Sequence, residues 1–266
     1  MDNEKYLKLK QILKDLGSVI VAYSGGTDST LVLKVAHDVL GDRVVAMTAV
    51  SASLAESERL EAQEVARLIG SAHILVETEE TANPDYLANT PNRCFFCKNE
   101  TYEKLITYAQ GHGFQAVVDG TNTDDARDIR PGRKAARDHH IRSPLLESGL
   151  AKAEIRQLSK ELGLPNWDKP AAACLSSRIP YGTTITIKSL SQVEQAEALL
   201  RSLGLRQLRV RHHDTIARIE VEPVDFPVLI EHRQQVVTSL KALGYAYVSL
   251  DLAGFRSGSL NEAMKK

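Results

Sequence analysis

Leu9, Ile12, Leu13 and Leu16 recur at helical spacing, and Gly17 follows where a helix would stop, so the pattern predicts an N-terminal helix. The period then changes. Ser18–Ala22 is a short β-branched run of the kind buried in a parallel sheet, and it feeds directly into the stretch YSGGTDST at 23–30. Strand, glycine turn, helix is the predicted order. The alternation continues with a strand at Val44–Val50, a helix over Glu56–Ile69 opening on the capping-box spacing Ser53 to Glu56, and a strand at His73–Val76. A further helix follows Cys97 and ends near Gly111, and Gln115–Asp119 reads as another strand. Strands alternating with helices through short loops predict an α/β fold with an open, mostly parallel sheet covered on both faces.

After Ile141 the alternation weakens: a helix over Ala151–Leu162 is closed by Gly163 and Pro165, and Asn166–Tyr181 reads as a long irregular loop. From Thr183 the order becomes a short strand, a helix over Leu190–Leu203, strands at Leu208–Arg211 and Ile216–Val221, a helix, and a strand at Tyr245–Leu250. The expected organisation is therefore a first domain over 1–165, a linker loop over 166–182 that carries Cys174, and a smaller C-terminal α+β domain over 183–266 for substrate binding or oligomerisation. No repeat at solenoid periods interrupts this plan.

Composition narrows the functional classes. The 266 residues hold 33 Lys plus Arg against 34 Asp plus Glu, a net charge of −1, and 43% are hydrophobic. That is a soluble globular balance, and it argues against a surface devoted to nucleic acid. No apolar run approaches the ~18 residues a bilayer requires, and MDNEKYLKLK lacks a secretory signal, so the expectation is a cytoplasmic protein with no membrane partner. Three cysteines, an odd count, suit a reducing compartment and metal or thiol chemistry rather than a disulfide framework.

Ser24, Gly25, Gly26, Asp28 and Ser29 stand where a buried strand ends and a helix begins, so backbone N–H groups and the helix dipole can meet an anion. Phosphate binding is the natural reading: the glycines admit oxygens closely, the serines add hydroxyl donors, and Asp28 can hold Mg²⁺ beside the phosphates. The stretch differs from GxxxxGK[ST], since no lysine follows to reach a γ-phosphate. It resembles instead the pyrophosphate loop of the ATP pyrophosphatase (PP-loop) superfamily. That resemblance implies cleavage of ATP between its α and β phosphates, adenylating an oxygen so that nitrogen or sulfur can displace AMP.

Cys94-Phe-Phe-Cys97 brings two thiols within one turn, and Cys174 lies in the irregular loop. Zinc would need a fourth ligand such as His139 or His140. A thioredoxin-like dithiol would expect the first βα turn, which the glycine loop occupies. Three thiolates on a [4Fe–4S] cluster leave one iron open to exogenous sulfide, which makes a sulfur carrier, and this is the preferred reading. Arg127, Arg130, Arg133, Lys134, Arg137 and Arg142, interleaved with Asp128 and Asp138, form either a solvated loop or an anion-binding segment. Arg209 and Arg211 alternate onto one strand face, with Arg218 and Glu220 on the partner strand, and GFRSG presents Arg256 between glycines, a phosphate-binding possibility.

The set SGGTDST, NRCFFCK, DGTN at 119–122, RPG at 130–132, CLSSRIPYGT at 174–183, RVRHHDTIARIE at 209–220 and GFRSG runs through nearly the whole chain and resembles the LarE family of ATP-dependent sulfurtransferases. The resemblance implies a role in building the nickel-pincer nucleotide cofactor of lactate racemase. Carboxylates of pyridinium-3,5-biscarboxylic acid mononucleotide would be adenylated and converted to thiocarboxylates, with release of PPi and AMP. It implies ATP held by Ser24, Gly25, Gly26, Asp28 and Ser29 with Mg²⁺, and the substrate phosphate held by Arg211 and Arg256, with Glu220 or Glu222 in the same site. In one form of the family a single cysteine before SSR gives up its own sulfur; in the other a CxxC and a loop cysteine hold a [4Fe–4S] cluster. With Cys94, Cys97 and Cys174 the chain resembles the cluster form, which makes Cys174 a ligand rather than a sacrificial donor. A homo-hexamer and a sulfide or other sulfur donor are the implied partners. The rivals are a tRNA thiolase, an amidoligase lacking an evident ammonia source, and a nucleotide-sensing protein without turnover.

Overall fold

The computed structural model describes residues 4–125, 131–170, 173–256 and 258–259. Arg127, Asp128 and Arg130 lie outside them. The chain forms two compact units, one of residues 1–80 and 91–172, the other of residues 81–90 and 173–266.

The first unit is built on four strands, β1 (Val19–Ala22), β2 (Val44–Val50), β3 (Ala72–Glu77) and β4 (Ala116–Val118), in the order β3-β2-β1-β4. All are parallel, with Val21 opposite both Ala46 and Val118, and Arg142 bridges to Val118 beyond β4. Strand alternation sorts the core. Val19 and Val21 face Leu9 and Leu13 of the helix Glu4–Asp15, Leu31 and Val35 of the helix Thr27–Leu40, and Ile155 of the helix Lys152–Glu161. Ile20 faces the other way, onto Leu105 and Ala109 of the helix Arg93–His112, with Met47 and Val117 beside it. The sequence spacing starts this last helix after Cys97. It begins at Arg93, so both thiols lie inside the helix rather than ahead of it.

Because every strand runs the same way, the chain leaves the sheet at a single edge after Ala22, Val50, Glu77 and Val118. Such carboxyl edges are where open α/β sheets bind ligands. The residues that follow are polar: Ser24, Ser51, Ser53, Thr78, Glu80 and Asp119. Ser53 is not a helix cap, since Ala55 takes that position; its hydroxyl bonds to Glu80 at 2.5 Å.

In the second unit β5 (Leu208–His213) pairs antiparallel with β6 (Ile216–Val221), and β6 pairs parallel with β7 (Tyr247–Leu250). Leu208, Val210, Ala217 and Ile219 point onto the helices Ile187–Ser202 and Arg233–Ala242 through Ala196, Leu200, Val236 and Leu240. The short strand expected at Thr183 is absent; these residues lead directly to the N-cap Thr186.

Gly120 marks where the sheet edge presses on the glycine loop. A Cβ there would sit 2.8 Å from the backbone N of Ser29 and 3.1 Å from Asp28 C, both rigid atoms. Gly120→Ala is expected to lower stability by about 1–3 kcal/mol, read from urea denaturation midpoints.

Candidate functional site

The first part of the site is the turn after β1. Gly25 adopts φ +69, and a Cβ on it would meet the Cβ of Ala62 at 2.8 Å, so both conformation and space demand glycine. Gly26 then caps the helix Thr27–Leu40 in extended geometry with no side-chain cap, and Thr30 is the residue whose N–H returns to Gly26 O, at 3.0 Å. Helix geometry leaves the preceding amides without intrahelical partners. The serines order the turn: the Ser24 and Ser29 hydroxyl oxygens lie 3.2 Å apart, Ser29 Oγ donates to Gly26 O at 3.1 Å, and Gly26 N–H donates to Ser24 Oγ at 3.3 Å. A nest of this kind, at the positive end of a helix, is suited to a phosphate.

Two residues that sequence reasoning did not assign complete it. Lys152 Nζ lies 2.5 Å from Asp28 Oδ2, bringing to the loop the cation that the motif itself lacks. Asn166, placed by the sequence in an irregular loop, is buried against the turn. Its Nδ2 donates to Gly25 O and to Thr30 Oγ1, each at 2.9 Å, and its carbonyl accepts from Thr27 Oγ1 at 2.9 Å. Neither had a local signal, because Asp28 and Lys152 lie 124 residues apart and Gly25 and Asn166 lie 141 apart. Among the described residues, Asp28 Oδ1 is buried without a hydrogen-bond partner. A free carboxylate oxygen beside a phosphate nest is the hard oxygen donor Mg²⁺ takes, so the residues fit that ion.

Behind the loop, Thr48 Oγ1 donates to Tyr23 O at 2.7 Å. Its remaining contact, 2.8 Å to His73 Nε2, therefore requires the proton on that nitrogen. Burial holds the His73 imidazole below its ordinary pKa. The same burial, partly offset by the Thr30 hydroxyl, pushes the Tyr23 phenol up to about 12.

Cys94 and Cys97 occupy one helical turn, Cys94 exposed and Cys97 half-buried, and neither is in a disulfide. Cys97 Sγ lies 3.7 Å from Glu80 Oε2, a buried carboxylate that also accepts from Ser51, Ser53 and Thr78. Lys134 from the basic helix Pro131–Asp138 stands 5.1 Å over the Phe95 ring, and His139 pairs with Asn99 at 2.9 Å. Two thiols on one turn fit two corners of an iron–sulfur cluster by donor type. Among the described residues, no group of three or more His, Cys, Asp and Glu is assembled to hold a metal. Cys174 belongs to the second unit, as a half-buried residue heading the short helical turn Leu175–Arg178.

In that unit Arg209, Arg211 and Glu220 of the ladder are buried, and Arg218 is half-buried. Arg211 is 5% exposed and Glu220 0%. Arg211 Nε and Nη2 donate to Glu220 Oε2 at 3.0 and 2.8 Å, Nη1 donates to Ser177 O at 3.0 Å, and Nη2 also reaches Ser259 Oγ at 2.8 Å. Arg218 and Arg256 share Asp251, at 3.6 and 4.0 Å, while Glu222 is exposed. Arg209 stacks 5.3 Å from the Phe255 ring, and burial, with Arg178 close by, pushes its guanidinium down to about 10. Burial works against charge on Glu197 too, yet the bonds from Arg178 and the Val210 N–H outweigh it and hold the carboxyl below its usual range. Among the described residues, Arg178, Arg201, Arg209, Arg211, Arg218 and Arg256 are grouped with Glu197, Glu220 and Asp251, a positive balance suited to an anion.

Two predictions follow from the first unit. Asn166→Ala removes the buried donor to Gly25 O and Thr30 Oγ1 and is expected to cost about 1–3 kcal/mol in urea unfolding. Below its ordinary value of 6.5, the unfolded chain protonates His73 before the folded chain does. Stability present above that value should therefore decline as the pH falls below it. His73→Gln is expected to flatten this slope, measured as urea midpoints against pH.

No protein-family model matches the chain. It is 43% identical over 264 residues to the pyridinium-3,5-bisthiocarboxylic acid mononucleotide synthase of Lactiplantibacillus plantarum, covering 98% of this chain and 95% of that one. An uncharacterized protein of Synechocystis is 48% identical over the full length of both chains. A tRNA-specific 2-thiouridylase of Rickettsia africae is 27% identical, over 58% of this chain and 52% of its own.

Proposed function

The chain belongs to the family of the pyridinium-3,5-bisthiocarboxylic acid mononucleotide synthases, the LarE family, and from that membership we propose that it is an ATP-dependent sulfurtransferase of nickel-pincer nucleotide synthesis. Its substrate is pyridinium-3,5-biscarboxylic acid mononucleotide, whose carboxylates it converts to thiocarboxylates. The observation that carries this reading is the 43% identity over almost the whole of both chains, which takes in both the glycine loop and the arginine-rich unit.

The chemistry divides into two displacements. A substrate carboxylate oxygen bonds to the α-phosphorus of ATP while the bond to the bridging oxygen breaks and PPi departs. Hydrosulfide then bonds to the activated carbonyl carbon, the carbon–oxygen bond to AMP breaks, and the thiol proton is lost to leave a thiocarboxylate. Charge develops on phosphate oxygens in the first step. The amides at the N-terminus of the helix Thr27–Leu40, the Ser24 and Ser29 hydroxyls and the Lys152 ammonium are arranged to meet it. Asp28 would hold Mg²⁺ through Oδ1, and the ion would add positive charge beside the same phosphates. Arg211 and Arg256, with Glu220 orienting Arg211, are assigned to the substrate phosphate. Arg211 already spends its donors within the protein, so its part is the buried positive field rather than a free fork.

Cys94, Cys97 and Cys174 are assigned as the ligands of a [4Fe–4S] cluster. When bound, such a cluster supplies the sulfide from an iron that the protein leaves free.

Asp28→Asn is expected to reduce AMP and PPi formation by at least about 10²-fold, measured by nucleotide chromatography; normal AMP formation contradicts the assignment. Anaerobic reconstitution is expected to load on the order of four irons per chain, lost in Cys94→Ala. An iron-free protein that instead leaves dehydroalanine at Cys174 after turnover would make Cys174 a sacrificial donor.

A further inference from the structure

We propose that Arg178, held from behind by Glu197, is a positioning residue for Cys174: its guanidinium fixes the carbonyls on both sides of the Cys174 α-carbon and so sets where the thiol is presented. The role deepens the reading of Cys174 as a sulfur-handling residue, whether as ligand or donor, and rests on it.

The geometry starts from a fully buried carboxylate. Glu197, on the helix Ile187–Ser202, has no exposed surface, and Arg178 is 3% exposed. Arg178 Nε and Nη2 donate to the two oxygens of Glu197 at 2.8 Å each, a fork-to-fork pair that leaves the guanidinium a single orientation. Val210 N–H donates to Glu197 at 3.0 Å and Arg201 at 3.3 Å, so the carboxylate is itself immobile. The third nitrogen, Nη1, then faces the loop. It donates to Ala173 O at 2.5 Å, to Cys174 O at 3.0 Å and to Ser177 Oγ at 3.0 Å.

Two consecutive carbonyls converging on one nitrogen constrain both peptide planes that meet at Cys174, consistent with its φ of −58 and ψ of 153. The remainder of the segment is held separately. Tyr86 OH pairs with Ser176 Oγ at 2.5 Å, and Asn89 Nδ2 reaches the carbonyls of Ile179, Pro180 and Thr183 at 3.2, 2.8 and 3.0 Å. A buried ion pair adds little net stability over a well-packed apolar pair, but it does specify geometry. Here the geometry it specifies is that of the backbone carrying a half-buried thiol.

The test is the rate at which iodoacetamide modifies each cysteine of the full-length chain, read by peptide mass spectrometry, in wild type and Arg178→Lys. Lysine keeps the charge but has no planar fork to grip Glu197 and the carbonyls together. Alkylation of Cys174 is expected to rise about tenfold, the weight of one charge-assisted hydrogen bond, while Cys94, on the other unit, stays at its wild-type rate. Thiocarboxylate formed per AMP released is expected to fall in the same variant. A folded Arg178→Lys chain with an unchanged Cys174 rate overturns the proposal. Should that variant not fold, Glu197→Gln, nearly isosteric, is expected to give a rise of about threefold, and no rise overturns the proposal equally. The underlying sulfur reading fails in a different measurement: Cys174→Ala would still make thiocarboxylate, whatever the alkylation rates.

Discussion

Close backbone contact around the turn at Gly25 is the constraint on which the first unit depends. On one side the missing Cβ of Gly25 lets the helix Glu56–Ile69 approach through Ala62; on another the missing Cβ of Gly120 lets the end of β4 approach Ser29. Asn166 closes the third side with hydrogen bonds instead of apolar contact. The loop is therefore rigid before any ligand arrives. Preorganised donors cost nothing to reorganise when charge develops, which is what displacement at a phosphate requires of a protein. The parallel sheet contributes direction, since all four strands deliver their polar successors to the same edge.

The second unit achieves order by a different route. Its three-stranded sheet has an apolar face toward the helices and an arginine-bearing face on which Arg209, Arg211 and Glu220 are buried. Each buried cation there has a carboxylate or carbonyl partner, and each buried carboxylate has at least two donors. Such networks leave groups uncompensated when one member is lost, so they couple residues far apart in sequence. Arg178, Glu197, Arg211 and Glu220 are linked in this way to the segment that carries Cys174.

Much of this was legible in the sequence for a simple reason: strands of Val and Ile and helices with apolar stripes report their burial locally. β1, β2 and the helix Glu56–Ile69 fall where the periodicity puts them, and the alternation of Arg209 with Arg211 onto one face is the observed register opposite Glu220 and Arg218. What could not be read is long-range. Lys152 and Asn166 carry no motif of their own, and their meaning comes from a loop more than 120 residues earlier. Residues 81–90 interrupt the first unit in sequence yet fold with the second, where Tyr86 and Asn89 bind the Cys174 segment. Ser53 mimics a cap by spacing alone, because a hydroxyl near a helix start serves equally to satisfy a buried carboxylate, here Glu80.

On the proposed function, ATP bound at the glycine loop activates the carboxylate that receives sulfur. The most direct measurement incubates the anaerobically reconstituted protein with ATP, Mg²⁺, sulfide and pyridinium-3,5-biscarboxylic acid mononucleotide, and follows AMP and product mass together. AMP is expected to be released in proportion to oxygen-for-sulfur exchange in the mononucleotide. AMP without any such exchange, or exchange without AMP, would contradict it.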